Sequence, residues 1–317
     1  MTTVLVTGTG AVIGYGILRC LQGIMQIRTV ASDIYVHAAG QHFADVFHQA
    51  PLTRDPSYPD WLSNLIKKEG IDLVIPGIEQ DVAWLASVAG TPKEPPTLLS
   101  LNRPEFVRLC MDKIAFDKFL ADSGDPVRIP SSLEMSYSRL VADLGTPFLL
   151  KPRDGYAGKG IIRVHSKAEF LPHADEVGKK YLAQRIIGDE SQEYTVSAFC
   201  VQGEIRAVIA LRRLLSPEGA TAWAETTSVD PFLPSMKRIS EKLGAEGPTN
   251  FQYRICEGMP MLLEINPRIS SATSIRAAFG FNEAAMCVDH YLHGRAIHQP
   301  ELRNGTAVRY LTEFVAH

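Results

Sequence analysis

Residues 250–268, NFQYRICEGMPMLLEINPR, decide the fold of the second half of this chain because they predict two strands joined by a turn. Residues 257–260 supply the glycine and proline that mark the turn. Side chains alternate between the two faces of a strand. A hairpin centred on this turn therefore places Gln252 opposite Glu264, with Asn266 one pleat further along.

One face of the predicted hairpin is suited to a divalent cation. Gln252, Glu264 and Asn266 offer one carboxylate and two amide oxygens, which are the hard ligands that Mg²⁺ prefers. Arg268 follows and is ready to face an anion. The same pattern also fits a half-exposed structural hairpin, but Glu, Asn and Arg around a proline are costly in a purely structural role. The opposite face is expected to lie in the core, with Phe251, Tyr253, Ile255, Met261, Leu263 and Ile265.

The amino-terminal part predicts a parallel α/β unit. A short apolar strand at residues 3–7 leads into a turn with Gly8, Gly10 and Gly14, and a helix pattern and a strand ending at Asp33 follow. These glycines with the later aspartate also resemble a dinucleotide-binding motif, which is weak by itself. An NAD-dependent oxidoreductase or epimerase is therefore an alternative function, although tight helix–strand packing explains the glycines equally simply.

A glycine-rich loop in the middle of the chain is the second candidate functional element. The proline-rich residues 91–96 cannot continue a helix or a central strand, so they mark a domain boundary. A helix is predicted from Pro104 to Ser123, and a strand ending at Lys151 leads into the loop Gly155–Gly160. The remaining predictions are a strand at residues 161–165, a helix at 167–180, strands at 181–187 and 193–201, and a closing helix at about 274–292.

Composition excludes several classes of partner. The 317 residues include 35 acidic and 32 basic side chains, and no long run of Lys or Arg is present to follow a nucleic-acid backbone. No apolar stretch approaches the length that spans a bilayer, and the five cysteines lack zinc-binding spacing. The first residues run directly into a strand, which is untypical of a targeting segment. We expect a cytoplasmic protein without nucleic-acid or membrane partners.

Together these motifs resemble the ATP-grasp superfamily, and within it a single synthetase unit of the carbamoyl phosphate synthetase large chain. The resemblance covers nearly the whole chain and rests on Asn250-Phe-Gln252, Glu264–Arg268 with its following serines, Ala278-Phe-Gly280, Asp112-Lys113, Lys151-Pro152 with its glycine loop, and Gly188–Glu193. It implies an α/β fold that is α+β in its second part. A Rossmann-like parallel-sheet lobe at residues 1–98 precedes an ATP-grasp domain at 99–317, which divides into a lid lobe at about 125–187 and a metal-bearing lobe at about 188–317.

The resemblance also implies roles for individual residues. Lys113 and Lys151 contact nucleotide phosphates, and the loop with Gly155, Gly158, Lys159 and Gly160 covers them, although Lys159 faces either phosphate or solvent. The hinge Gln184, Arg185, Ile186 and Ile187 reads adenine, and Glu193 accepts from the ribose hydroxyls. Gln252, Glu264 and Asn266 hold Mg²⁺, with Mn²⁺ as an alternative ion. Arg268 and Lys151 are the implied catalytic residues, with Arg268 steadying a carboxylate or an acyl phosphate.

The implied activity is an ATP-dependent carboxylate–amine ligase that forms an acyl phosphate and then an amide, with ADP and phosphate as products. Its partners are a small-molecule carboxylate and an amine, and dimers are common among such relatives. Residues 221–225 replace a His-containing stretch of the synthetase, and the chain has one unit instead of two, so we do not expect carbamoyl phosphate synthesis. A nucleotide-binding regulator without turnover is a further alternative.

Overall fold

The computed structural model describes residues 1–155, 158–217, 219–310 and 312–315. Tyr156 and Ala157, which belong to the predicted phosphate loop, lie outside the described residues. Within the described ranges, no helix combines the length and apolar character that crossing a membrane requires.

The amino-terminal part is a parallel five-stranded sheet. Its strands are β1 Thr2–Thr7, β2 Ile27–Asp33, β3 Val46–Gln49, β4 Leu73–Ile75 and β5 Leu98–Leu99. Its helices are α1 Val12–Leu21, α2 Tyr58–Glu69 and α3 Glu79–Val88, with a 3₁₀ turn at Ala39–Phe43. The spatial order is β3-β2-β1-β4-β5, so the predicted Rossmann-like parallel sheet is confirmed.

Close packing accounts for the glycines that follow β1. A Cβ atom on Gly14 would lie 2.3 Å from the carbonyl oxygen of Gly8, so α1 approaches this turn only because no side chain intervenes. The Asp33 carboxylate at the end of β2 accepts a hydrogen bond of 2.7 Å from the Gly10 N–H. These contacts agree with the packing explanation of the glycine motif.

Two short helices replace the single helix predicted from Pro104 to Ser123. They are α4 Pro104–Met111 and α5 Lys113–Asp122. Asp112 interrupts the helix because its backbone is extended and its carboxylate caps α5, accepting from the N–H groups of Ile114 and Ala115 at 3.1 Å.

An antiparallel four-stranded sheet follows. It contains β6 Ser131–Ser132, β7 Phe148–Pro152, β8 Ile162–Val164 and β9 Tyr181–Arg185 in the order β6-β9-β7-β8. Strands β7 and β8 pair as the predicted hairpin on either side of the glycine loop. The accompanying helices are α6 Tyr137–Leu144 and the short α7 Lys167–Phe170. The helix predicted at 167–180 is therefore too long, because a 3₁₀ turn with a proline, Leu171–Glu176, takes over.

The last part is built on a six-stranded antiparallel sheet. Its strands are β10 Glu193–Val201, β11 Glu204–Leu215, β12 Thr221–Thr227, β13 Gly247–Cys256, β14 Met259–Asn266 and β15 Thr306–Val308. The order is β14-β13-β10-β11-β12-β15. The remaining helices are α8 Leu233–Leu243, α9 Thr273–Ala278 and α10 Glu283–Cys287, with a 3₁₀ turn at Glu190–Gln192 and a π-helical turn at Val288–Leu292. The predicted closing helix is thus broken, because Gly280 has a left-handed φ of +98°.

The hairpin β13–β14 has the predicted register, with one correction. Gln252 pairs with Glu264 and Asn250 with Asn266 across the two strands. A β-bulge next to Gln252 then shifts the pairing, so that Leu262 takes the buried core position that the alternation assigned to Leu263. The predictions for Leu263 and Met261 are wrong because strict alternation contains no bulge. Leu263 instead lines a cavity, and Met261 is half-buried, pairs with Arg254 and lies outside the core cluster.

Candidate active site

A cavity of about 450 Å³ lies between the four-stranded sheet and β14, and its wall also includes residues of α3, α4 and α5. This size is within the range of small-molecule sites. We call it the main cavity. Its charged and amide side chains include Glu79, Lys113, Lys151, Glu264, Asn266 and Arg268. Its apolar side chains include Met111, Phe116, Leu120, Ile129, Leu182 and Leu263. Most of these charged and amide side chains are among the site residues predicted from the sequence, whereas none of the apolar side chains is.

The three predicted metal ligands lie on neighbouring strands. Glu264 and Asn266 line the main cavity, and the Asn266 amide nitrogen donates to the Glu264 carboxylate at 3.1 Å. Gln252 lies opposite Glu264, but its amide oxygen accepts from the Arg213 guanidinium at 2.8 Å, and it is not part of the cavity wall. The structure therefore brings Glu264 and Asn266 together at the cavity and sets Gln252 behind them.

The donor chemistry of this hairpin fits magnesium. Among the described residues there is no group of three His, Cys, Asp or Glu side chains that could hold a metal. A cation here would depend on one carboxylate, neighbouring amide oxygens and the oxygens of a bound phosphate, which is how Mg²⁺ is commonly held. The Asn266 amide would have to turn its oxygen away from Arg268, from which it accepts at 3.1 Å.

Lys151 is a buried cation on the cavity wall. It lies near the end of β7, with only 9% of its surface exposed. Burial lowers its pKa to about 8; the Glu264 carboxylate opposes this shift, and the positive charge of Lys113 adds to it. The Lys113 ammonium donates to the Gly155 carbonyl oxygen at 2.5 Å. Both lysines predicted to contact phosphate therefore line the same cavity, and Lys113 also contacts the glycine loop.

The glycine loop borders the cavity through one of its described residues. Gly155 lies on the cavity wall. Gly158 and Gly160 have φ values of +68° and +74°, a left-handed conformation that side chains disfavour. Lys159 is exposed and lies outside the cavity wall.

The predicted adenine hinge is only partly at the cavity. Gln184 lines it, and its amide nitrogen donates to the Ser131 hydroxyl at 3.0 Å. The Arg185 N–H donates to the Pro130 carbonyl, and the Arg185 guanidinium donates to the Asp143 carbonyl. The structure places Arg185, Ile186 and Ile187 outside the cavity wall.

Glu193 lies in a buried ion-pair cluster that the sequence did not reveal. One carboxylate oxygen accepts from Arg213 and the other from Arg254, both at 2.9 Å, and Glu193 is not on the cavity wall. Arg213 also donates to Gln252, so the cluster supports the back of the hairpin. The position of Arg254 on the same strand face as Gln252 was its only signal in the sequence, and Arg213 comes from β11, an element the sequence analysis did not identify.

Arg268 joins the two halves of the molecule. Its guanidinium forms an ion pair with Glu79, the first residue of α3, and donates to the carbonyl of Ile269. Burial lowers the Arg268 pKa to about 10, and the nearby Arg276 charge acts in the same direction. Glu79 was missed because nothing in its local sequence distinguishes it from other acidic residues at a helix N-terminus.

Comparisons with known proteins agree with this architecture. Residues 4–94 match the family "PylC-like, N-terminal domain", and residues 189–314 match "ATP-grasp in the biosynthetic pathway with Ter operon". A formate-dependent phosphoribosylglycinamide formyltransferase from Mycolicibacterium gilvum is 25% identical over 287 residues, covering 84% of this chain and 70% of the relative. The curated relatives are matched over 38% to 76% of their own length.

Two solved structures share the fold. N5-carboxyaminoimidazole synthetase from Staphylococcus aureus, complexed with ADP, has a TM-score of 0.75 and 16% identity, covering 98% of this chain and 82% of that chain. The biotin carboxylase domain of Hydrogenobacter thermophilus 2-oxoglutarate carboxylase, complexed with MgADP, ADP and bicarbonate, has a TM-score of 0.73 and 16% identity, covering 96% and 73%. The prediction of ATP and Mg²⁺ as cofactors agrees with these complexes.

The matches define a PylC-like amino-terminal domain followed by an ATP-grasp domain. Residues 189–314 match an ATP-grasp family, so the predicted resemblance to the ATP-grasp superfamily is confirmed, and the predicted ATP-dependent ligase agrees with the relatives that match. The more specific resemblance to a synthetase unit of carbamoyl phosphate synthetase is in loose agreement with these matches.

Proposed function

We propose that this chain is a carboxylate–amine ligase that uses ATP and Mg²⁺ and works through an acyl phosphate. The observation that carries the proposal is that the hairpin β13–β14 brings Glu264 and Asn266 to a cavity also lined by Lys113 and Lys151. A carboxylate beside two lysines and a deep apolar wall suits a nucleotide whose phosphates are bridged by a cation. The name of the Mycolicibacterium relative, with formate as its carboxylate, supports the substrate class.

The chemistry takes place in two steps. A substrate carboxylate oxygen attacks the γ-phosphorus of ATP, the bond to the β-phosphate oxygen breaks, and ADP leaves. The amine nitrogen then attacks the acyl carbon, the carbon–oxygen bond to phosphate breaks, and the amine loses its proton to phosphate or water. Phosphoryl transfer depends mainly on positioning and on neutralising charge.

The side chains of this chain divide that work. Lys151 and Lys113 neutralise phosphate charge. Glu264 and Asn266 would hold Mg²⁺, which would supply Lewis-acid stabilisation of the moving phosphoryl group, and Gln252 would join them only after its amide oxygen leaves the Arg213 guanidinium. Arg268 orients the substrate carboxylate or the acyl phosphate. Closure of the glycine loop excludes water, which would otherwise hydrolyse the mixed anhydride.

The test is acyl-phosphate trapping with hydroxylamine. Wild-type protein with ATP, Mg²⁺ and a panel of carboxylic acids is expected to give a hydroxamate and ADP in equal amounts. Glu264→Gln should lower this rate by roughly two orders of magnitude or more, because it removes the one carboxylate among the proposed Mg²⁺ ligands. The matched control is Glu257→Gln, an exposed residue at the turn of the same hairpin, which should retain wild-type activity.

Two results would count against the proposal. Equal activity in the two variants would remove Glu264 from the site. ATP binding with no ADP release for any carboxylate would favour the regulator without turnover. The proposal also includes a cytoplasmic location and a homodimer. Size-exclusion chromatography with light scattering tests the homodimer, and cell fractionation tests the location.

A further inference from the structure

A second cavity of about 710 Å³ lies at the carboxyl edge of the parallel sheet. The turn after β1, the end of β2, the segment after β3 and the start of α3 form its wall. Ligands of open parallel sheets bind in crevices outside the carboxyl ends of the strands, where the strand order reverses. The phosphoryl-transfer residues described above leave this second cavity without a role.

The two cavities meet at the first turn of α3. Gln80 lines both, while its neighbours Glu79 and Asp81 line the main cavity and the second cavity, respectively. A molecule in the second cavity therefore lies one helical turn from the Glu79–Arg268 ion pair at the edge of the main cavity. This placement suits a substrate that has to present one group to the acyl phosphate.

The charges on this wall favour an anion at one position. Arg54 lines the second cavity, is exposed, and forms no ion pair with any carboxylate in the described part of the chain. The carboxylate of Asp33 is already occupied, since its two oxygens accept from the N–H groups of Gly10 and Tyr35. The Arg54 guanidinium thus remains available as a donor.

The other acidic group on the wall is deeply buried. Asp81 is 3% exposed, and its carboxyl group accepts from the Thr53 hydroxyl at 2.5 Å. Burial raises the pKa of Asp81, and the hydrogen bond from Thr53 acts in the opposite direction. Thr53 and Arg54 both line the second cavity.

We propose that the second cavity binds the amine substrate and that Arg54 recognises an anionic group, a carboxylate or a phosphate, carried by that amine. The acceptor is then an amino acid or a phosphorylated amine, with its amino group directed toward the main cavity. This inference rests on the proposed ligase function and specifies its second substrate.

The experiment separates the inference from the function on which it rests. Hydroxylamine is small and uncharged, so it traps the acyl phosphate without needing Arg54. Arg54→Gln should therefore keep wild-type hydroxamate formation, while its KM for anionic amines rises roughly tenfold or more and its kcat changes little, since one charge-assisted contact is lost. Arg54→Lys should restore part of the affinity. Arg139→Gln, at an exposed arginine on α6 outside both cavities, is the matched control.

A panel of amino acids, phosphorylated amines and uncharged amines of similar size distinguishes the two anion sources. Calorimetry of the same amines binding to the protein without ATP provides a readout that is independent of turnover. If wild-type protein forms no hydroxamate, the ligase proposal fails first. If it forms hydroxamate but prefers uncharged amines, or if Arg54→Gln leaves the KM for every anionic amine unchanged, the inference is overturned. Binding of a nicotinamide dinucleotide in competition with the amines would overturn it as well.

Discussion

Lys151 should make nucleotide binding depend on pH in a range where few lysines titrate. The side chain is buried at the end of β7, and this burial lowers its pKa from 10.5 to about 8. Phosphate binding requires the ammonium form. Nucleotide affinity should therefore be constant up to about pH 8 and fall above it, approaching a tenfold loss per pH unit because about one tenth of the lysine stays protonated at pH 9.

The same pKa shift predicts that the stability of the fold rises with pH over the range in which nucleotide affinity falls. At pH 7 Lys151 is charged in both the folded and the unfolded chain. Because folding lowers its pKa from 10.5 to about 8, this charge destabilises the fold by up to about 3 kcal/mol. Between pH 8 and 10.5 the unfolded chain binds more protons than the folded one, so this penalty is relieved as pH rises. Lys151→Met should therefore lose nucleotide binding while gaining stability at pH 7, and the gain should shrink above pH 8.

Titration with a fluorescent ADP analogue from pH 7 to 9.5 measures the affinity, and urea unfolding measures the stability. Lys118→Met is the control, because Lys118 is exposed on α5 and lies outside both cavities. Nucleotide affinity that stays flat across this pH range in wild-type protein would refute the reasoning. Unchanged affinity in Lys151→Met would do the same.

Two further predictions concern the scaffold. Gly14→Ala should destabilise the amino-terminal part by roughly 1–3 kcal/mol or more, because its Cβ would lie 2.3 Å from the Gly8 carbonyl oxygen. The urea concentration at the unfolding midpoint should therefore fall. An unchanged midpoint would show that the turn after β1 moves to accept the methyl group without a cost in stability. Arg276→Met should cost roughly 3–5 kcal/mol because Glu283, fully buried, loses its ion pair, whereas Arg276→Met combined with Glu283→Leu should recover most of that loss. Thermal unfolding of the single and double variants decides this, and an equally unstable double variant would mean that the pair itself stabilises the fold.

Local patterns in the sequence were sufficient for the hairpin and the parallel sheet. The register of Gln252 against Glu264 follows from alternation around a turn in which Glu257 and Gly258 both have positive φ. The bulge that moves Leu262 into the core could not be predicted, because packing against distant residues decides it. The break between α4 and α5 at Asp112 could not be predicted either. The residues on both sides of Asp112 favour one continuous helix, but the Asp112 side chain caps α5 and so ends α4.

The polar residues that the sequence missed share a physical cause. Glu79 and Arg213 lie far along the chain from the hairpin β13–β14, so only the folded topology brings Glu79 to Arg268 and Arg213 to Glu193 and Gln252. Local propensity carries no information on such contacts.

The buried cluster behind the hairpin is better explained by function than by stability. Glu193 and Arg213 have side-chain exposures of 6% and 4%, so both charges lose most of their hydration. Replacing a buried ion pair with apolar residues is often neutral or stabilising, so ion pairing alone is a weak reason to keep this cluster. Arg213 fixes the amide oxygen of Gln252. Burial is the largest cause of the lowered pKa of Lys151, and within the cluster Arg254 adds to this shift while Glu193 opposes it. The cluster therefore contributes to the proposed phosphate site by fixing the back of the hairpin that carries Glu264 and Asn266.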